Sequence, residues 1–349
     1  YFAFKPLRER VKIRTAKLSE TLNADQREAA VEQIVAEEKQ RKRPRTVAGF
    51  DYTFSVPKSV SVLWAVSDGG TQALIGQAHH AAIREVIDLL ERDVAATRTG
   101  ANGVAQVDVR GVIATAFDHF DSRAGDPQLH THVVIANRVQ AADGKWRTLD
   151  GRPLHAAVVA LSEHYNAVLA DHLTRVLGVE WEARERGRDR NPAWEITGVS
   201  DDLLGEFSSR TAAIETEKQR LIEEYVARHG KHPSETTIIR LRQQATLATR
   251  PEKEVRSLAD LTAEWRDRAT QVLGEDCTTW AMTLIQSGTH IGVLRADDLP
   301  LEQLRQIGEA VVAQVGVKRS TWRRWNLHAE ASRQTMGLRF ASNNDRESV

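Results

Sequence analysis

One stretch of this 349-residue chain constrains its fold more than any other: two β-forming runs separated by a cluster of turn-forming residues. The first run is Val112-Ile113-Ala114-Thr115-Ala116-Phe117, followed by Asp118 and His119, and the second is Leu129-His130-Thr131-His132-Val133-Val134-Ile135. Between them lies Ser122-Arg123-Ala124-Gly125-Asp126-Pro127, whose glycine, proline and short polar side chains favour a reversal, so the pattern predicts an antiparallel hairpin. Side chains alternate between faces along a strand, which puts His130 and His132 on one side, and the hairpin can carry His119 to them. Three neutral imidazoles suit a borderline divalent ion and leave positions open for water or a phosphate oxygen. The segment therefore predicts a metal site with His119, His130 and His132 as ligands. The competing use of such histidines is as partly buried strand residues.

Around this hairpin the hydrophobic periodicity alternates between strand and helix. Asn23 can cap a helix from about Ala24 to Lys42 with Ala30, Ile34 and Val35 inward, ending in the basic run Lys39-Gln40-Arg41-Lys42-Arg43-Pro44-Arg45, which is either a phosphate-binding cluster or a solvated helix end. Gly49-Phe50-Asp51-Tyr52-Thr53-Phe54-Ser55 reads as a strand, Pro57 suits the first turn of a helix beginning at Lys58, and a long helix spans 71–96 with Leu74, Ile75, Ala78, Ala82, Val86, Leu89 and Leu90 as its stripe. A short strand is expected near Lys145-Trp146-Arg147-Thr148-Leu149. A second long helix over roughly 156–177 buries Leu161, Tyr165, Val168, Leu169 and Val176 and stops at Gly178. The expected fold class is α+β, an antiparallel sheet with helices on one face and the other face free for a ligand, followed by a mainly helical C-terminal region. Helices are expected near 201–228, 234–248, 257–274 and 298–315. His79, His80, His155 and His164 have no partner at metal spacing and are read as surface residues.

Composition restricts the class of protein without choosing a partner. The 48 basic and 48 acidic residues balance, so any polyanion must be met by local clusters. A single cysteine, Cys277, argues against a disulfide framework, and the absence of a long apolar run or a signal peptide predicts a cytoplasmic protein. The first residues, Tyr1-Phe2-Ala3-Phe4, and the last, Asn343 to Val349, read as the ends of an internal fragment.

Gly49-Phe50-Asp51-Tyr52-Thr53-Phe54-Ser55-Val56-Pro57-Lys58-Ser59-Val60-Ser61, then His119, then Asp126-Pro127-Gln128-Leu129-His130-Thr131-His132, together resemble the relaxase domain of MobF-class conjugative relaxases of the TrwC/TraI type, in an actinobacterial flavour, within the wider HUH endonucleases. The resemblance runs from about 46 to 200. It implies a division into an N-terminal helical segment (1–45), a relaxase core (46–200), a helical part of the relaxase domain (201–316) and a linker or the start of a helicase (317–349). It also implies metal ligation by His119, His130 and His132, a catalytic role for Asp51, and a divalent cofactor, Mg²⁺ or Mn²⁺, with Zn²⁺ or Ni²⁺ compatible with the same ligands. A metal-bound histidine usually donates its second N–H to a carboxylate, which supplies a physical role for Asp51.

The activity implied is metal-dependent, site- and strand-specific nicking and rejoining of plasmid transfer-origin DNA through a 5′-phosphotyrosyl intermediate. The implied partners are single-stranded plasmid DNA, a fused helicase and the conjugation machinery. Lys58, Arg110, Arg123 and Arg147 are the candidate DNA contacts, with Arg123 foremost because it sits in the hairpin turn. No nucleophile is assigned: Tyr52 faces away from Asp51, Tyr165 lies on an apolar stripe, Tyr225 belongs to the later helices, and Tyr1 has no tyrosine-pair context, so the attacking tyrosine is expected upstream. Lys318-Arg319-Ser320-Thr321-Trp322-Arg323-Arg324-Trp325 either anchors a helix or stacks on bases. Two other readings are a noncatalytic single-stranded-DNA-binding remnant and an HUH rolling-circle initiator, the latter requiring a tyrosine on the helix after the histidine motif.

Overall fold

The computed structural model describes residues 7–18, 22–40, 47–186, 190–252, 254–286 and 292–349. Chain contacts divide it into two units, numbered here through one series of elements in chain order: Tyr1–Phe50 with Ala96–Ile113 and Ile135–Leu149, and Asp51–Ala95 with Ala114–Val134 and Asp150–Val349.

The first unit holds the helices α1 (Leu7–Thr15) and α2 (Ala24–Gln40) and two antiparallel ribbons, β2 (Ala96–Thr99) with β3 (Ala105–Asp108) and β6 (Val139–Gln140) with β7 (Trp146–Arg147). Asn23 caps α2 as the sequence predicts: its Oδ1 accepts the Gln26 N–H at 2.8 Å while Gln26 Oε1 accepts the Asn23 N–H at 3.3 Å. Ile34 is buried, whereas Ala30 and Val35 are only half-buried. The basic run beyond Gln40 lies outside the described residues.

The second unit holds a three-stranded sheet of β1 (Gly49–Ser55), β4 (Ala114–Asp121) and β5 (Pro127–Ala136), in the order β1-β5-β4, all but the first two residues of β1 and the last two of β5. The predicted hairpin is β4–β5, and β5 is the central strand. Val56 N–H donates to Leu129 O at 3.2 Å and Asn137 N–H to Ala48 O at 2.9 Å, so β1 runs antiparallel to β5. Along β5, Leu129, Thr131, Val133 and Ile135 are buried while His130 and His132 are half-buried and Val134 is exposed. That alternation assigns the histidines to the face away from the core.

Behind the buried face, α3 (Lys58–Val66), α4 (Gly69–Asp93) and α5 (Gly151–Leu177) form the core. Pro57 occupies the cap position of α3 rather than its first turn. Asp68 caps α4 by accepting the Gly70 and Thr71 N–H groups, so the helix starts earlier than periodicity implied, and Leu74 turns to solvent while Ile75, Ala78, Ala82, Val86, Leu89 and Leu90 are buried. Asp150 likewise caps α5 and lengthens it. Val176 is exposed, contrary to expectation, and Gly178 closes the helix at φ 68° in the left-handed region.

Two histidines read as surface are in fact buried, His79 on α4 and His164 on α5. Helical periodicity predicts which face a residue occupies but not which distant residues cover it, namely Thr131 and Tyr165 for His79 and His328 for His164. His80 and His155 are exposed.

Beyond α5 come an unanticipated antiparallel hairpin, β8 (Trp181–Arg184) with β9 (Ala193–Ile196), and then α6 (Asp201–Glu206), α7 (Ser209–His229), α8 (Glu235–Ala248), α9 (Leu258–Leu273), α10 (Cys277–Gln286), α11 (Leu301–Lys318), α12 (Arg324–Gln334) and α13 (Asn343–Ser348). The single helix expected over 201–228 breaks at Phe207, whose ring is fully buried beneath the Arg268 guanidinium. In the aromatic tail Trp325 is the anchor, buried with Arg324 over its ring, while Trp322 is exposed. No described helix is long and apolar enough to cross a membrane.

Candidate metal centre

The rings of His119, His130 and His132 converge at nearly equal spacing, with centroids 5.1 Å apart for His119–His130, 5.3 Å for His119–His132 and 5.4 Å for His130–His132. His130 Nδ1 donates to the Gln128 carbonyl at 2.7 Å, which leaves Nε2 as its lone-pair nitrogen. His132 Nδ1 lies 3.0 and 2.9 Å from the two Asp51 carboxylate oxygens, with Thr53 Oγ1 at 3.2 Å, so its proton also sits on Nδ1. Desolvation lowers the His130 imidazole below its ordinary pKa and keeps it neutral at physiological pH.

These residues fit a divalent ion. Three Nε2 ligands with metal–nitrogen bonds of about 2.1 Å, arranged roughly tetrahedrally, would hold ring centroids about 5.3 Å apart. Taken as they stand, no three His, Cys, Asp or Glu side chains among the described residues close on one point at coordination distance. The spacing of the rings, and not their present orientation, carries the fit.

The hairpin turn that carries His119 to the pair is held from outside. Ser122 N–H donates to Asp126 O at 2.8 Å, and Gly125 takes φ +77°. The buried Asp126 carboxylate accepts from Ser209 N–H at 2.9 Å, Ser209 Oγ at 3.1 Å and Arg268 Nη2 at 3.1 Å, and the Trp265 indole donates to Gly125 O at 2.7 Å. Thus α7 and α9, distant in sequence, fix the turn. Ser59 and Ser61, within the motif around Pro57, are buried: Ser59 Oγ accepts the Ile196 N–H at 2.8 Å and Ser61 Oγ the Leu129 N–H at 3.1 Å, one residue before His130.

On the reverse face of β5, Thr131 sits in a chain of side-chain hydrogen bonds. Tyr165 Oη is 2.7 Å from His79 Nδ1, His79 Nε2 is 2.8 Å from Thr131 Oγ1, Thr131 Oγ1 donates to Asp118 Oδ1 at 2.5 Å, and His80 Nε2 lies 3.0 Å from Asp118 Oδ2. Partial burial pushes the Asp118 carboxyl up, and the bonds from Thr131 and His80 more than offset it, leaving it below the usual carboxylate range. Sequence reading missed this chain, Asp126 and Trp265. The only signal was His79 at a position of the α4 stripe adjoining Ala78 and Ala82.

A cavity of about 570 Å³ opens on the triad and is lined by Arg123, Arg210, Arg250 and Arg256 together with Asp121, Glu252 and Glu254. Of the four candidate DNA contacts, Arg123 stands here. Lys58 is turned inward to the Pro127 carbonyl at 2.9 Å, and desolvation lowers its pKa; Arg147 is paired with Asp143 at 2.7 Å. Arg110 is exposed in the first unit. Tyr52 donates to Leu154 O at 3.4 Å, and burial pushes its phenol up to about 12. Tyr165 is buried behind the sheet, Tyr225 lies tilted against His229 late in α7, and Tyr1 lies outside the described residues.

Comparison with known proteins places this geometry. Residues 9–272 match the family described as TrwC relaxase. The multifunctional conjugation protein TraI of Escherichia coli is 35% identical over 176 residues, 48% of this chain and 9% of the relative, and that of strain K12 is 33% identical over 184 residues, 50% of this chain and 10% of the relative. The chain thus spans about a tenth of the length of these relatives. Among solved structures, the metal-bound complex of the conjugative relaxase TrwC with oriT DNA is 31% identical with TM-score 0.56, covering 68% of this chain and 75% of that one. The copper-bound TrwC–oriT complex is 29% identical with TM-score 0.56, covering 76% and 86%. With its α+β architecture and the match over most of its length, the chain belongs to the TrwC relaxase family.

Proposed function

We propose that this chain is the metal-binding and DNA-binding part of a cytoplasmic conjugative relaxase that nicks and rejoins single-stranded transfer-origin DNA at one site through a 5′-phosphotyrosyl intermediate. The observation that carries the reading is the triad: three imidazoles at 5.1–5.4 Å spacing, two of them with Nδ1 protons committed to an acceptor. His119, His130 and His132 are the ligands, and Asp51 holds the His132 proton on Nδ1 so that Nε2 keeps its lone pair. A divalent ion held there, Mg²⁺ or Mn²⁺ by family likeness with Zn²⁺ or Ni²⁺ compatible, supplies positive charge beside the non-bridging oxygens of a phosphodiester, where negative charge grows during transfer.

Arg123 adds charge from the turn and orients the strand in the cavity, and Arg110 is a candidate DNA contact of its own unit. Lys58 and Arg147 support the fold around their internal partners. The attacking hydroxyl comes from a tyrosine other than Tyr52, Tyr165 and Tyr225, and the covalent link conserves the bond energy for rejoining. Transfer-origin DNA, a fused helicase and the conjugation machinery are the partners of the whole protein. A rolling-circle initiator is disfavoured because the tyrosine on α5, Tyr165, is buried with its hydroxyl on His79.

The test is titration of Mn²⁺ into the protein and into a His130→Ala/His132→Ala variant, following free Mn²⁺ by electron paramagnetic resonance with and without a single-stranded oligonucleotide. Binding by the parent that is lost in the variant and strengthened by the oligonucleotide supports the reading. Equal weak binding by both would leave a noncatalytic DNA-binding remnant as the account.

A further inference from the structure

We infer that His79 and Thr131 are positioning residues for the metal centre: a one-way hydrogen-bond chain on the buried face of β5 fixes the strand from which His130 and His132 project. The inference rests on the metal-site reading above.

The direction of the chain follows from donor chemistry. Asp118 lies beside the exposed end and accepts from Thr131, so the Thr131 hydroxyl spends its one proton there and must accept from His79 Nε2. His79 therefore carries its proton on Nε2, and Nδ1 accepts from the Tyr165 hydroxyl. Each link has one donor and one acceptor, and no member can reverse without leaving a buried group unpaired. His79 and Thr131 are wholly buried, so such a loss is not made good by water. Burial also pushes the His79 imidazole down to about 4, keeping the ring neutral with a single N–H.

The placement of the chain suits it to this work. Thr131 is the residue between the two ligands of β5, and period-two alternation sends its side chain to the opposite face. Asp118 stands in the same relation to His119 on β4. The chain thus ties together, from behind, the two strands that bear the three ligands and anchors them to α4 through His79 and to α5 through Tyr165. Other groups satisfy the ligands on their own face, namely Gln128 O and Asp51, whereas this array acts through the backbone.

The test compares Mn²⁺ affinity in the parent, Thr131→Val, Thr131→Ser and Tyr165→Phe. Valine matches threonine in shape but removes the hydroxyl, so Mn²⁺ affinity should weaken on the order of tenfold, while serine, which keeps the hydroxyl, should stay within about twofold of the parent. A purely structural contribution would lower the melting temperature of Thr131→Val without the rescue of affinity by serine. Tyr165→Phe, which cuts the far end, should weaken affinity in the same direction and decides the matter if Thr131→Val fails to fold. Nitrogen NMR should find His79 in the Nε2–H tautomer. Parent-like affinity in both Thr131→Val and Tyr165→Phe, or an Nδ1–H tautomer, would overturn the inference and leave the metal reading intact. A parent that binds no better than His130→Ala/His132→Ala would remove the metal reading, and this inference with it.

Discussion

Replacing Asp51 by asparagine separates the chemistry of the triad from its folding. The carboxylate straddles His132 Nδ1, one oxygen at 3.0 Å and the other at 2.9 Å, so either oxygen can accept the ring proton. Asparagine offers one acceptor and one donor. With its oxygen toward the ring, the tautomer survives and only the charge is lost; with its nitrogen there, the proton is driven to Nε2 and one of three ligands disappears. The expected weakening of Mn²⁺ affinity therefore runs from about tenfold to about a hundredfold, or about 1.4 to 2.7 kcal/mol. Folding should barely respond, because the pair is open to solvent, with side-chain exposures of 32% for His132 and 53% for Asp51. Surface pairs of this kind contribute less than about 1 kcal/mol. Calorimetric Mn²⁺ titration and thermal unfolding would be run on the same preparations. Affinity within about twofold of the parent would refute the assigned role of Asp51, since outer carboxylates of bound histidines ordinarily matter by tenfold or more. A drop in affinity accompanied by an equal loss of stability would refute the separation.

Asp126→Ala should destabilise the protein by about 2 to 4 kcal/mol in urea unfolding, because it strands the Ser209 N–H and leaves Arg268 with the Glu206 carboxylate but without that of Asp126; a change under about 0.5 kcal/mol would count against the turn being anchored this way. Gly125→Ala, at φ +77°, should cost about 1 kcal/mol from left-handed strain alone, read in the same assay and contradicted by a neutral result. His79 has its pKa lowered by burial from 6.5 to about 4, so the unfolded chain takes up a proton that the native chain refuses. The stability that the neutral ring permits is fully present above pH 6.5 and is lost as pH falls toward 4, by roughly 3 kcal/mol from this group. Urea midpoints measured from pH 7 to pH 4.5 should fall across that window, and a flat profile would mean that His79 is not buried as described.

What was legible in the sequence was local. Alternation along Leu129 to Ile135 and the turn formers at 122–127 established the hairpin and the common face of His130 and His132, because period-two geometry follows from the backbone alone. Caps and breakers were partly legible: Asn23 and Gly178 act as read, while Asp68 and Asp150 extend their helices beyond the apolar stripe, since a cap can start a helix before its buried face begins. Motif resemblance added Asp51, which periodicity could not have joined to His132 across 81 positions.

The tertiary structure decided which polar groups meet. His79 joins Thr131 across 52 positions and Tyr165 across 86, and Asp126 joins Arg268 across 142. Such contacts carry no local pattern, because a buried polar side chain is selected by whatever donor or acceptor the packing brings to it. The same packing turned Lys58 to the Pro127 carbonyl and left Arg123 at the mouth of the triad. The sequence by itself determined where three imidazoles could gather. Only the packing of α4, α5, α7 and α9 around the hairpin determined what holds them there, because hydrogen-bond complementarity is a property of positions in space and not of spacing along the chain.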